Sequence, residues 1–438
     1  MVSSIILVFL VFFLVVLTSK KPLNGLMFYF VIRMIIPPSA RVFSLSFNTI
    51  ALLFLMISML PTIRIYYAQR TLLDRKYFHL LKGLFIGLFC LTLISFVVPK
   101  FFQFSSLIQT FYTEFIPSIL LAIYIKEKEE YKMFCMIVAF IALFTSLYAI
   151  YTFYSSANPI FEFFNTTKTV GIDLEEYAND RMGLNGIAVG IYDDKIACSL
   201  ICMLLSMFVY SIECISKKLR LISLCSSLVA LYLTTQRTGL LCFLLFFILT
   251  FIYKNNYSLG KKLFIGIGFG MIAVLFANNK LVNDFFTLIL SVFTDNLQNN
   301  NSVGGSNSEM RLDQLLNCIN YLDIKNLFQG AGYGFATYYY KYIWNIELYG
   351  HDVRFLGFES FLFQTIMNSG LIGVYLWGNF FVKLKNELNY NKSKCYACFV
   401  LCYVLAILMT DASASLFLFF MLMVLSYKSE ILNQKLLI

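Results

Sequence analysis

The sequence predicts an all-α, polytopic membrane protein, on three observations. Of the 438 residues, 59% are hydrophobic and 13% charged, whereas a soluble domain carries roughly 25% charged residues. Apolar runs recur along the whole length, each close to the ~20 residues a helix needs to cross a hydrocarbon core. The basic residues are concentrated in short connectors between those runs, the positive-inside pattern. The formal charge of +10 therefore reads as membrane sidedness, and the absence of a basic stripe argues against nucleic acid as a partner.

Taken in order, the apolar runs predict membrane helices near residues 4–17, 23–36, 42–60, 80–98, 105–125, 133–154, 195–214, 219–235, 238–253, 262–278, 358–382, 395–409 and 412–427. The first two are short, so the expectation is about 12 to 13 spans in a single integral membrane domain, 1–438. Lys20 and Lys21 follow the first run with no small-residue cleavage site, which reads as a retained helix. The connectors rich in Lys and Arg, from Lys20 to Lys435, define the cytoplasmic side. Two long loops, 155–194 and 279–357, then fall on the opposite face. Long loops without structure of their own are uncommon unless functional, so chemistry is expected at that external face.

The larger loop has internal order. Residues 282–293 (VNDFFTLILSVF) place apolar side chains on one helical face and could lie along the membrane surface. Residues 299–307 (NNNSVGGSN) read as a turn-rich segment, and 309–321 (EMRLDQLLNCINY) as an amphipathic helix with Ser308 as N-cap and Arg311 in its first turn. The charges gather at one face of the bundle in this reading, and no internal repeat or heptad pattern is present.

Cysteine and histidine chemistry is thin. Ten of the 11 cysteines lie in or beside apolar runs. Cys395 and Cys398 form a CxxC without a histidine or a second CxxC nearby, so they read as small packing residues. With two histidines in the chain, no metal site and no cofactor are expected.

The residues suited to chemistry are external. Arg237, in TTQRTG, sits at the junction of two apolar segments, where an arginine is costly unless paired or hydrated. Arg181, in NDRMGLNGIAVG, lies beside glycines whose backbone donors could join it on an anion. Arg311 and Arg354 add further guanidinium groups. Arg33, inside an apolar run, reads as a snorkelling residue with a lipid-phosphate contact as its alternative. GAGYG (330–334) lacks the Lys and Ser/Thr of a P-loop and reads as a tight turn. It leads into the aromatic run Tyr338, Tyr339 and Tyr340, and Tyr333, Tyr338 and Tyr339 are the residues expected to stack on sugar rings or to anchor in the interface. Glu359, at the mouth of the helix FESFLFQTIMNSGLIG, is positioned as a general base or as a helix cap. His351 is the competing base, and His79 falls on the cytoplasmic side.

Arginines recognise phosphates through bidentate hydrogen bonds, and a diphosphate leaves readily once its charge is stabilised. These residues therefore outline a reaction in which a sugar hydroxyl, deprotonated by Glu359, attacks the anomeric carbon of a lipid-diphosphate-linked sugar. Neither nucleotide nor metal takes part.

The segments RMGLNGI at Arg181, QRTG at Arg237, MRLDQLLNCINYLDIKNLFQGAGYG from Met310 and FESFLFQTIMNSGLIG from Phe358 resemble, in order and layout, those of the bacterial O-antigen polymerases (Wzy family), relatives of the O-antigen ligases. The resemblance runs from about residue 133 to the C-terminus. It implies a GT-C-like architecture, an undecaprenyl-diphosphate-linked oligosaccharide as substrate, the periplasmic face of the bacterial inner membrane, and a chain-length regulator and a flippase as pathway partners. In the ligases a histidine precedes the first glycine of the GLIG-like end by about eleven residues. Counting back from Gly370 reaches Glu359 and not His351, which favours polymerase over ligase. By the same resemblance Arg237 and Arg311 hold the diphosphate, with Arg181 beside them. The alternatives are a ligase that moves glycan to lipid A core, and a transporter or flippase, for which charges buried along several helices are expected.

Overall fold

Apolar side chains on every face make most of these segments helices that must be covered by protein or lipid, and the computed structural model is helical nearly throughout. The structure describes residues 2–42, 45–164, 188–192, 194–254, 260, 308–339, 342, 360–389, 392–411 and 415–434. In chain order the helices are α1 (Val2–Lys20), α2 (Pro22–Ile35), α3 (Phe47–Ala68), α4 (Leu72–Ile94), α5 (Lys100–Thr110), α6 (Ile116–Tyr124), α7 (Lys128–Ser155), the short α8 (Pro159–Phe164), α9 (Lys195–Ser211), α10 (Lys217–Leu233) and α11 (Arg237–Lys254). Within the second long loop lie α12 (Ser308–Tyr321), α13 (Ile324–Gln329) and α14 (Phe335–Tyr338), and beyond it come α15 (Phe361–Glu387), α16 (Lys394–Met409) and α17 (Leu416–Gln434). Among the described residues the one sheet is a two-stranded antiparallel ribbon, Arg41–Val42 with Leu45–Ser46, between α2 and α3.

Among the described residues, five helical stretches are long and apolar enough to cross a membrane: α1, α3, α4, the continuous run Lys100–Tyr124, and α7. Shorter apolar helices include α2, α9 and α16. The expected segment 262–278, the amphipathic stretch 282–293 and the turn-rich stretch 299–307 lie outside the described residues.

Helix starts follow from local chemistry. At α4, Thr71 Oγ1 accepts from the Asp74 amide (3.2 Å) and Asp74 Oδ2 accepts from the Thr71 amide (2.9 Å), a reciprocal capping box. Asp194 caps α9 by accepting from the amides of Ile196 and Ala197. Ser360 caps α15 by accepting from the Leu362 amide, and its hydroxyl donates to the Leu408 carbonyl at the end of α16 (2.6 Å). The amide of Phe361 donates to the Thr410 carbonyl (3.0 Å), so the opening of α15 is fixed against the α16–α17 link.

Two expected continuous helices are interrupted. Within 105–125 the chain makes a π-turn at Phe111–Phe115, a widening that recurs at functional sites. Within 358–382, α15 breaks at Gly370, whose φ of 61° and ψ of −164° are non-helical.

The packing divides in two. A large core runs through the bundle, with Phe30, Phe134, Phe419 and Tyr427 buried in it. A smaller core of Val98, Cys318, Leu322, Ala331, Phe335, Tyr339, Phe363, Ile366 and Met367 fastens α12 to α14 onto the first turns of α15 as a cap.

Candidate functional site

The cap is seated on the break in α15, and glycine makes the contact. Gly330 (φ 79°) and Gly370 (φ 61°) both have left-handed φ. A Cβ on Gly330 would lie 2.3 Å from the Ser369 amide nitrogen, and one on Gly370 would lie 2.4 Å from the Phe328 carbonyl. Backbone therefore touches backbone where no side chain fits. The break frees polar groups that the turn satisfies. The Ala331 amide donates to the Met367 carbonyl (2.8 Å) and the Phe335 amide to Asn368 Oδ1 (2.9 Å). On the other side the Val98 amide donates to the Ala331 carbonyl (3.1 Å), and Ser95 Oγ to the Gln329 carbonyl (3.1 Å). Gln103 fills the space beneath Gly332 and donates to the Ser95 and Val98 carbonyls.

Beside this junction lies a buried ion pair. Arg33 Nη2 of α2 sits 3.1 Å from Glu114 Oε1 in the π-turn, with side-chain exposures of 15% and 10%. Thr113 Oγ1 donates to the same oxygen (2.9 Å), and Glu114 Oε2 accepts from the Phe417 amide at the start of α17 (2.9 Å). The guanidinium stands 5.2 Å from the Phe417 ring centre. The snorkelling expected of Arg33 is thus corrected, because a carboxylate inside the bundle holds it there. One sequence signal pointed to this: Glu114 is the single acidic residue in an apolar run of membrane-spanning length, and such residues are functional candidates by default.

One described tyrosine from each long loop lies near this pair. Tyr192, at the end of the first, follows the turn in which Asn158 Nδ2 donates to the Gly190 carbonyl (2.8 Å). Its hydroxyl contacts Met34 Sδ (3.7 Å), and burial pushes the phenol's pKa up against the opposing pull of Arg33. Tyr333, from GAGYG, has its phenol raised to about 12, chiefly by burial. The Thr110 hydroxyl opposes that shift and the Glu114 charge adds to it.

The remaining expected residues are distributed as follows. Arg237 opens α11 and is half-buried, just after Thr235, whose φ of 55° is left-handed. The Ala188 amide donates to the Leu233 carbonyl (3.1 Å), which ties the end of the first long loop to the QRTG turn. Arg311 lies in the first turn of α12. Tyr338 is half-buried, edge-on to Phe102 at 5.5 Å. Tyr339 is corrected as a sugar platform, since it is 4% exposed and packed against Phe335 and Tyr321 in the cap core. Arg181, His351, Arg354 and Glu359 lie outside the described residues.

A second buried ion pair joins α4 to α17. Lys428 of α17, read from the sequence as a basic tail residue, is 2.9 Å from Asp74 Oδ2, with side-chain exposures of 2% and 0%. Tyr427 Oη donates to Asp74 Oδ1 (2.9 Å). This second buried pair has its acceptors filled by Lys428, Tyr427 and the Thr71 amide, a satisfied helix–helix tie.

Among the described residues no group of His, Cys, Asp and Glu is placed to hold a metal ion. No protein-family model matches the chain, and no curated protein matches it.

Proposed function

We propose that the chain is a polymerase of lipid-linked glycans, joining undecaprenyl-diphosphate-linked oligosaccharide units by glycosyl transfer at the periplasmic face of a bacterial inner membrane. The observation that carries this reading is the seating of GAGYG on the broken helix NSGLIG. The two segments richest in O-antigen-polymerase resemblance form one packed unit, and that unit places the helix bearing Arg311 against the helix that begins just after Glu359. In this reading Arg237, Arg311, Arg181 and Arg354 hold the donor diphosphate, and Tyr333 and Tyr338 face the glycan. Glu359, or His351 in its place, takes the proton from the acceptor hydroxyl. The new glycosidic bond forms as the bond to the diphosphate breaks, and the lipid diphosphate leaves with the electron pair. A fold of 12 to 13 spans with GT-C-like architecture belongs to the same proposal.

The test is purified protein in liposomes with the host's lipid-linked repeat unit, without nucleotide sugar or metal. A ladder of multiples is expected, lost in Glu359→Gln and Arg237→Ala variants that still insert. Ladders of normal length and amount in both variants refute this site.

A transporter or flippase is the second reading, favoured by the two buried ion pairs and the broken helix. It predicts movement of intact lipid-linked units across sealed vesicles with no change in their mass. The ligase alternative predicts transfer to lipid A core in place of a ladder.

A further inference from the structure

We infer that Arg33, Tyr29 and the start of α17 form an intramembrane phosphate site beneath the external cap. A count of donors and acceptors leads there. Arginine has five N–H donors and no acceptor, and among the described residues Glu114 is the one hydrogen-bond acceptor that Arg33 meets. The two oxygens of Glu114 are already shared among Arg33, Thr113 and the Phe417 amide. Tyr29, one turn before Arg33 on α2, is fully buried, and its hydroxyl has no partner. Its ring lies edge-on to Phe417 at 6.1 Å, the same ring that the guanidinium covers, and its phenol feels the charges of both Arg33 and Glu114.

Arg33 thus has guanidinium donors beyond the one that faces Glu114, and the Tyr29 hydroxyl is a buried donor without a partner. Buried donors without partners are costly, so the missing component is a group made of acceptors. Phosphate oxygens suit a guanidinium edge better than any other common anion, because they accept two parallel N–H bonds. The positive end of α17 adds to the attraction. Glu114 takes up one nitrogen of the guanidinium and the Phe417 amide, so the ligand is held by the remaining guanidinium donors and the Tyr29 hydroxyl. Arg33 lies about 16 Å along α2 from its Pro22 end, counted at 1.5 Å per residue. It is therefore reached from the external face, where Tyr192 and Tyr333 close over it.

The choice of phosphate rests on the lipid-diphosphate reading above, while the site itself is defined by the donors. Two sources share this chemistry: a lipid head group, or diphosphate released in the reaction. Binding of inorganic diphosphate, inorganic phosphate and a polyprenyl diphosphate in mixed micelles to the purified full chain separates them. Arg33→Gln leaves Glu114 buried and unpaired and risks misfolding, so the decisive variant is Tyr29→Phe. It removes one unpartnered hydroxyl and nothing else.

With a phosphate ligand, Tyr29→Phe is expected to bind about tenfold more weakly, the loss of one hydrogen bond to a charged group, with an unchanged or higher melting temperature. Binding of the polyprenyl diphosphate alone assigns the site to a head group. Binding of inorganic diphosphate as well assigns it to the phosphates themselves. No binding of any probe to folded wild-type protein, or equal binding by Tyr29→Phe, overturns the site. Phosphate binding in a protein that builds no ladder keeps the site and removes the polymerase, so the two failures are distinguishable.

Discussion

Replacing Gly370 with alanine tests whether the cap is held by backbone contact at the broken helix. At φ 61° and ψ −164° a side chain is strained by about 1–3 kcal/mol. The new Cβ would also lie 2.4 Å from the Phe328 carbonyl carbon and oxygen and 2.6 Å from the Gly330 nitrogen. These are backbone atoms and cannot rotate away, so overpacking adds about 1–3 kcal/mol. The sum, about 2–6 kcal/mol, corresponds to at least a ~30-fold shift of the docking equilibrium towards an opened cap. Hydrogen exchange reads it directly. The Ala331 amide, bonded to Met367, and the Val98 amide, bonded to Ala331, should lose protection by that factor, while amides in α7 keep theirs. Gly378→Ala on the same helix is the control, because nothing lies within 4 Å of its added Cβ. It should be neutral or stabilising by up to ~1 kcal/mol. Wild-type exchange at Ala331 and Val98 in Gly370→Ala would refute the reasoning.

Asp74→Asn removes the negative charge from the buried Asp74–Lys428 pair and should lower stability by about 3–5 kcal/mol. Adding Lys428→Met should recover most of that, and thermal unfolding in detergent checks both. The Tyr333 phenol, raised to about 12 from an unfolded value of about 10, contributes stability that is complete below pH 10 and lost as pH rises from about 10 to about 12. The gain in tyrosinate absorbance on unfolding at pH 10.5 should be smaller by one group in a Tyr333→Phe variant than in wild-type protein. In the ladder assay, Arg311→Ala should cut product by about tenfold or more, the loss of a charge-assisted phosphate contact. An unchanged rate would remove Arg311 from the diphosphate site.

Much of the helical framework was legible because its cause is local. An apolar run near twenty residues long has few stable forms other than a helix, and Thr71–Asp74, Asp194 and Ser360 mark helix starts through hydrogen bonds spanning two or three residues. The partner that keeps Arg33 in the bundle was not legible as a pair, since Glu114 is 81 residues away. Arg33 inside an apolar run was singled out from the sequence, whereas the carboxylate that matches it was not. Tyr339 likewise reads as one of three adjacent aromatics, and only the fold of α12 against α15 decides that its ring belongs to the cap core.

By itself the sequence determined that the chain is helical and apolar enough for a membrane, that its basic residues favour the short connectors, and that the GAGYG and NSGLIG segments are unusual. Those properties follow from composition, periodicity and glycine. The tertiary structure decided that the two glycine segments meet, that α15 breaks to receive the cap, and that Arg33 and Lys428 are drawn into the bundle by Glu114 and Asp74. Such pairings join residues tens to hundreds of positions apart. A buried charge is tolerable only where folding brings its counter-charge within hydrogen-bonding distance, and no local pattern records that distance.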